Sequence, residues 1–326
     1  MSIISHRSLI DAKQILQRVS VIVNSFSGID ELANKVAAKK QALGLLHKLK
    51  DQILRVIGDH HGTLFDEEVA QLNETVSLIG RIGHAPDTLE TELPKLEKSL
   101  EFPFFLNTVW LLRHTDKRKG GPAQQSNGFW RSIPGSGVAQ AKEFGRYLSQ
   151  EILLCPKPVV LEIHHSEAST NKEARRARTF ARIIRKQVQK NNHGGHVKIK
   201  MMEHPALYFR FGDESLQKIR ARMETAESQF AAFQEWVQGK VSYKDGRTTH
   251  DPEKIASELR AWAQEGTKHK EAGKHYIRVG VSHSWIVDTL LHFAIPEAHP
   301  DIIATAGRVR FRADHIKYRG TEKKIF

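Results

Sequence analysis

Along residues 1–100, hydrophobic positions recur at the three- to four-residue spacing of amphipathic helices. The segment Ser8-Leu9-Ile10-Asp11 is typical of a helix N-terminus, and a second helix is predicted from about residue 30 to the His60-His61-Gly62 segment. A third is predicted over 66–82, with a fourth short helix or a linker between Pro86 and Pro94. We therefore expect a small helical bundle, in which the second helix buries one face formed by Leu32, Val36, Leu43, Leu46, Leu49, Ile53 and Ile57.

After Pro103 the pattern changes to short apolar, β-rich runs that alternate with helical stretches. This alternation predicts an α/β domain with a mainly parallel sheet flanked by helices. Residues 307–318 alternate apolar and polar positions, which indicates a final edge strand. The other predicted strands are 106–112, 158–163, 197–202 and 276–282, and the predicted helices are about 136–150, 172–190, 215–238 and 252–265.

The chain of 326 residues is long enough for two domains. We predict a helical domain over 1–100 and an α/β domain over 101–326, with a helical insertion at about 213–268. Charge differs between them: residues 1–100 hold 12 Lys and Arg against 13 Asp and Glu, whereas the rest hold 38 against 24. The second domain is therefore the one expected to meet anions.

Composition narrows the environment in which the protein works. No apolar run approaches the roughly 20 residues of a membrane span, and no secretory signal opens the sequence. The single Cys155 excludes an internal disulfide framework and favours a reducing compartment. We therefore expect a cytoplasmic protein without a membrane span.

Three stretches place chemistry-bearing residues at the ends of predicted strands. Arg113 and His114 follow the first strand, and His283 follows the last long one. Because the carboxyl ends of parallel strands meet at one edge of a sheet, the two imidazoles are expected to converge. A third stretch opens a helix with Arg175, Arg176 and Arg178, although helix N-termini favour anions. A bound anion would account for arginines there, and a solvated basic helix face is the alternative.

Together these stretches resemble the histidine phosphatase superfamily, which has the phosphoglycerate mutase-like fold. The resemblance covers roughly residues 104–320 and leaves out the N-terminal helices. It rests on four short motifs in the family's order, namely Leu111-Leu112-Arg113-His114, the segment from Ile133 through Gln140-Ala141, the segment Arg176-Ala177-Arg178-Thr179-Phe180-Ala181, and Val279-Gly280-Val281-Ser282-His283.

The resemblance implies a phosphomonoester hydrolase that works through a phosphohistidine intermediate. His114 would attack phosphorus, Arg113 and Arg176 would hold the phosphate oxygens, and His283 would add a donor and, if protonated, a charge. The family's chemistry calls for no metal and no cofactor. The implied partner is a phosphorylated small molecule or phosphoprotein, and mutase activity is a variant of the same chemistry.

Several positions depart from the family's pattern. Thr115 stands where the family has Gly, so a side chain is expected beside the phosphate. Arg175 is an alternative to Arg176, because Ser166, which resembles the motif's Ser, stands ten residues before Arg176. The family's acidic residue has no clear counterpart; we predict Glu203 as the general acid because it ends a strand, with Asp213 and Glu214 as substitutes.

Two further functions stay open at this point. The departures fit a non-catalytic protein that keeps a phosphate pocket, and the basic surplus fits a binder of nucleic acid or anionic surfaces. His164-His165 and His193-x-x-His196 are the closest metal-like pairs, and solvated loop histidines are the favoured interpretation of both. The N-terminal helices are a candidate surface for self-association or docking.

Overall fold

The structure is a computed structural model, and it describes residues 4–29, 31–60, 64–101, 107–114, 133–155, 157–166, 174–191, 195–208, 221–222, 225–240, 252–298, 301–304 and 306–325. The chain forms two compact units. One comprises Met1–Leu106 with Tyr147–Pro158, and the other comprises Asn107–Arg146 with Val159–Phe326. No helix in these described stretches is both long enough and apolar enough to cross a membrane.

The first unit contains four helices, the first three where the hydrophobic pattern predicts them and the fourth where a short helix or a linker was expected. Their buried faces form one apolar core, which includes Leu16, Leu49, Ile82 and Leu96. The third helix is capped by its own first turn, since the backbone N–H of Phe65 donates to the Glu68 carboxylate at 2.8 Å. The helices are α1 (Ile4–Asn24), α2 (Leu32–His60), α3 (Asp66–His84) and α4 (Leu89–Glu101).

Two details of the helical prediction were wrong. Leu32 and Val36 do not share the buried face of α2 but are 77% and 60% exposed, because they lie in the first turns of α2, outside the apolar core. Pro94 does not mark a helix boundary but lies inside α4. It stands in the second turn, where it removes a single backbone hydrogen bond from the helix.

The second unit is built on a seven-stranded mixed sheet of order β3-β2-β4-β1-β5-β6-β7. Strands β3, β2, β4 and β1 run parallel, and β5, β6 and β7 extend the sheet in antiparallel fashion. The predicted α/β class, with parallel strands flanked by helices after a helical N-terminal region, is confirmed. The strands are β1 (Thr108–Arg113), β2 (Val159–His165), β3 (Val197–Glu203), β4 (His275–Ser282), β5 (Arg308–Arg312), β6 (His315–Tyr318) and β7 (Thr321–Lys324).

The C-terminal stretch is not the single edge strand that its alternation predicted. It turns at Ala313, whose φ of 48° is left-handed, and so divides into β5 and β6. Arg319 and Gly320 both have positive φ, and they form the two-residue turn into β7. Alternation along a hairpin looks like one longer strand when the turn residues are not glycine or asparagine.

Helices cover both faces of this sheet. Helices α5 (Gly135–Leu154) and α6 (Ala174–Asn191) lie on one face, where Phe144 of α5 packs edge-on against Trp110 of β1. Helices α8 (Pro252–Lys268) and α9 (Ser284–Ala294) lie on the other face, packed against Val109 and Leu111 of β1. Within the predicted insertion, the structure describes α7 (Gln229–Val237), whose Phe233 and Trp236 pack against Trp285.

Candidate active site

The two strand-end histidines meet at the carboxyl edge of the parallel strands. Strands β1 and β4 are neighbours, with Arg113 opposite Ser282, so the next residue of each chain segment follows in register. The His114 backbone N–H donates to the Ser282 carbonyl at 2.9 Å. Nε2 of His114 lies 2.7 Å from Nδ1 of His283, with the rings at 89° to each other. The sequence pattern of strand, His and turn therefore does bring these two imidazoles together.

His283, the more deeply buried partner of the imidazole pair, is neutral at physiological pH. Burial and the nearby Arg176 guanidinium lower the pKa of His283 to about 3. One hydrogen lies between the two ring nitrogens, because their separation of 2.7 Å is that of a hydrogen bond. Nε2 of His283 is buried and has no hydrogen-bond partner among the described residues. An unpaired buried nitrogen is costly, and an oxygen-rich ligand at this edge would satisfy it.

The Arg113 side chain lies on the face of β1 opposite to that of His114 and is held there by a loop. In register it shares its face with Ser282, while His114, one residue on, takes the alternate face. The Arg113 guanidinium donates to the carbonyl of Ile303. The Ile303 N–H in turn donates to the carboxylate of Asp288 at 2.7 Å, and Asp288 is fully buried on α9. A buried carboxylate thus anchors the loop that holds Arg113.

Two further groups of the predicted site are the arginines at the start of α6 and Ser166 at the end of β2. Arg176 is half-buried and close enough to His283 to lower its pKa, whereas Arg175 is exposed. Ser166, directly after β2, is fully buried; its backbone N–H donates to the Val281 carbonyl at 3.3 Å, and its Oγ has no partner among the described residues. Of the two predicted arginines, Arg176 is the one that the electrostatics place beside the imidazole pair.

Glu203 is not brought to the imidazole pair. It is exposed at the end of β3, opposite His165 of β2, which is itself opposite Val281 of β4. With strands about 4.8 Å apart, Glu203 lies roughly 10 Å from β4 across β2. Its charge acts on His165, whose pKa it raises against the larger effect of burial. Thr115 lies outside the described residues, as do the alternative acids Asp213 and Glu214.

The interpretation of His164 and His165 as solvated loop residues was wrong. Both belong to β2, and both are buried because β2 is paired on its two sides, with β3 and with β4. As successive strand residues they face opposite sides of the sheet, so they cannot bind one metal ion together. The apolar run that predicted the strand ends at Ile163, which is why its polar last residues were not assigned to it.

Sequence reasoning also missed a buried polar cluster on the α8 face of the sheet. The Trp262 indole N–H donates to Nδ1 of His164 at 2.9 Å, so the hydrogen of His164 lies on Nε2, toward Glu162 at 3.3 Å. The Arg278 guanidinium lies 3.5 Å from the Glu162 carboxylate, and its Nε–H donates to the Tyr276 hydroxyl oxygen at 2.9 Å. Burial, with Arg278 nearby, lowers the pKa of His164 to about 4. These contacts fix β2, β4 and α8 beneath the candidate site.

Comparisons with known proteins add little to this geometry. No protein family model and no curated protein matches the chain. Among solved structures, it is similar to a phosphoglycerate mutase from Bacillus anthracis str. Sterne, at 16% identity over 68% of this chain and 93% of that one, with a TM-score of 0.39. A mycobacterial glucosyl-3-phosphoglycerate phosphatase matches at 13% identity over 63% and 89%, with a TM-score of 0.35.

A phosphoglycerate mutase from Plasmodium falciparum matches at 15% identity over 64% of this chain and 89% of that one, with a TM-score of 0.33. All three are named for the class of protein that the four sequence motifs resemble. Because no TM-score exceeds 0.39, we draw no argument about activity from the likeness, and the function has to be argued from the side chains.

Proposed function

We propose that the protein is a phosphomonoester hydrolase that uses His114 as its nucleophile. The observation that carries this proposal is the His114–His283 pair, closed at 2.7 Å at the carboxyl edge of the sheet, with a buried, unpaired ring nitrogen and a guanidinium nearby. Such an edge is where open α/β sheets bind ligands. A phosphate dianion would supply an acceptor for the unpaired nitrogen and would be attracted by the Arg176 guanidinium.

The proposed reaction has two displacement steps. In the first, a ring nitrogen of His114 forms a bond to phosphorus as the ester P–O bond breaks, and the leaving oxygen takes up a proton. In the second, water attacks phosphorus, the N–P bond breaks, and inorganic phosphate leaves as His114 is restored. Splitting the transfer in this way lets one imidazole replace a poorly placed water molecule as the first nucleophile.

The surrounding groups suit the charge that develops on the phosphoryl oxygens. Arg113 and Arg176 offer planar, bidentate donors, which match phosphate geometry better than a lysine would. Because His283 is neutral, its contribution is a hydrogen bond from a ring N–H rather than a positive charge. Substrate entry must also open the 2.7 Å contact, since that contact occupies Nε2 of His114.

The proposed acid for the leaving oxygen stands two strands away from β4, which leads into His283. Glu203 remains the candidate from the sequence, and from the end of β3 it would reach only a leaving group that extends across β2. This position, together with the occupied Nε2 of His114, favours a second candidate function, a phosphate-binding protein without turnover. The two differ in outcome, because the second binds inorganic phosphate or vanadate and hydrolyses nothing.

Hydrolysis of 4-nitrophenyl phosphate tests the proposal, since its good leaving group needs little help from an acid. We expect steady turnover by the wild type and a loss of at least about a hundredfold in His114→Ala. The control His315→Ala removes an imidazole from β6, at the antiparallel end of the sheet, and should keep the wild-type rate. Equal rates in wild type and His114→Ala would overturn the mechanism.

A further inference from the structure

One face of α6 carries a row of arginines that the proposed chemistry does not use. Arg175, Arg178, Arg182 and Arg185 follow one another at three- and four-residue intervals, which places them along one side of the helix. We call these four residues the arginine stripe. Ten residues of helix span about 15 Å, and the stripe begins at the helix end where Arg176 acts on His283.

The arginine stripe concentrates positive charge along one face of a helix. Helix α6 contains no acidic residue, and arginines at its N-terminal end oppose the helix dipole. Burial and the guanidinium groups of Arg178 and Arg185 lower the pKa of Arg182, so these cations lie close enough to repel each other. Nε of Arg178 is buried without a hydrogen-bond partner among the described residues. An anionic group bound at Arg178 would supply the acceptor that its Nε lacks among the described residues.

The surroundings of the stripe show where such an anion would run. Arg178 and Arg182 act on His165, at the end of β2, and the carboxylate of Glu203 acts on the same imidazole from β3. The stripe therefore continues from the carboxyl edge of the sheet down the outer side of α6. A ligand with one phosphate at the imidazole pair would therefore place its further anionic groups along the arginine stripe.

The shape of the stripe favours an extended acidic chain. Arg175 and Arg185, at its two ends, are exposed, so the stripe is an open surface rather than a pocket for a small molecule. The aromatic residue of α6, Phe180, is fully buried, so this helix offers no ring on which nucleic acid bases could stack. About 15 Å corresponds to four or five residues of extended peptide.

Resting on the phosphatase function proposed above, we propose that the substrate is a phosphoprotein whose phosphorylated residue lies in an acidic segment, and that the arginine stripe binds the carboxylate or phosphate groups beside it. The stripe would then select among phosphoproteins, while Arg113, His114 and Arg176 act on the phosphate that is removed.

The test compares two phosphoserine peptides of equal length, one with glutamate and one with glutamine on both sides of the phosphoserine. The readout is the ratio of kcat/KM for the acidic peptide to that for the neutral one. We expect a ratio of about ten or more in wild type, falling to about one in the triple variant Arg178→Gln, Arg182→Gln, Arg185→Gln. The control Lys254→Gln, Lys268→Gln, Lys270→Gln removes the same charge from α8 and the two residues after it, away from α6, and should keep the wild-type ratio.

Two additions keep the test decisive. Arg185→Glu changes one exposed side chain and should lower the ratio even if the triple variant does not fold. Binding of both labelled peptides to wild type and Arg185→Glu, measured by fluorescence anisotropy, does not depend on turnover. Stripe-dependent binding of the acidic peptide without hydrolysis would defeat the phosphatase proposal alone. Equal binding of the two peptides, or tighter binding of single-stranded DNA of the same charge, would overturn the proposed substrate class.

Discussion

At the residue scale, the dipeptide Arg113-His114 serves both faces of one sheet edge. Strand alternation turns His114 toward the α5 and α6 face, where it meets His283, and turns Arg113 toward the α8 and α9 face, where it donates to Ile303. In the proposed reaction, these two adjacent residues would approach one phosphate from two sides. The position of Arg113 then depends on what holds Ile303, which is the buried carboxylate of Asp288.

We predict that Asp288→Ala weakens phosphate binding by displacing Arg113, although the proposed reaction gives Asp288 no contact with the substrate. Losing the acceptor of the Ile303 N–H should loosen the Ile303 carbonyl and with it the Arg113 guanidinium, raising KM for 4-nitrophenyl phosphate about tenfold with a smaller change in kcat. Asp288→Asn keeps an oxygen acceptor and should stay within about threefold of wild type. The inhibition constant of inorganic phosphate should rise in parallel with KM.

Far-ultraviolet circular dichroism of both variants identifies a general loss of folding. An unchanged KM in a folded Asp288→Ala protein would contradict this positioning role, and so would an equal loss in Asp288→Asn.

Some of the site could be predicted residue by residue and some could not. His114 and His283 were accessible because each follows a buried-strand pattern directly, and the parallel sheet then fixes their meeting. Asp288 was missed because it lies in the mainly apolar helix SWIVDTLLHFA, in which it is the one carboxylate. A lone carboxylate in such a helix is itself a usable signal, since a buried charge requires a partner.

At the element scale, the close approach of α8 to the sheet depends on Gly280 of β4. A Cβ at this position would lie 2.5 Å from the Trp262 ring, which is also the ring that donates to His164. The glycine therefore lets α8 settle on β4 immediately below the strand end that leads into His283. Packing of this helix and the position of His283 are thus linked through one strand.

We predict that Gly280→Ala destabilises the α/β unit by about 1–3 kcal/mol through overpacking. The added methyl group must displace Trp262 or separate α8 from β4, because the contact is with the rigid indole ring. Gly135→Ala, at the start of α5, meets no atom within 4 Å and is the control, with an expected change within about 0.5 kcal/mol. Urea unfolding followed by tryptophan fluorescence measures both, and matching midpoints for Gly280→Ala and wild type would contradict the prediction.

The elements themselves were largely predictable, and their ends less so. Helices and strands with clear apolar periodicity were found near their observed bounds, as for α6 and β4. The β5–β6 hairpin was missed because Ala313 adopts a left-handed conformation, which is not typical of alanine. The exposure of Leu32 and Val36 was also not predictable, because periodicity identifies an apolar face but not how far along the helix that face stays covered.

At the scale of the whole molecule, the division of charge along the sequence follows the division into two units. The positive surplus of the sequence falls after residue 100, and the unit built from that part holds the imidazole pair and the arginine stripe. The proposed reaction assigns a role to no residue of the helices α1 to α4. Val21, Leu32 and Val36 are exposed on this unit. That the unit serves self-association or docking stays a prediction from the sequence.

The central claim is that phosphate passes through a covalent bond to His114, and trapping that intermediate tests it most directly. Wild-type protein mixed with 4-nitrophenyl phosphate and quenched within milliseconds should gain the mass of one phosphoryl group, stable in alkali and lost in acid. Peptide mapping should place the group on His114, and His114→Ala should gain nothing. Hydrolysis that proceeds in wild type with no phosphorylated His114, or a phosphoryl group retained in His114→Ala, would contradict the account.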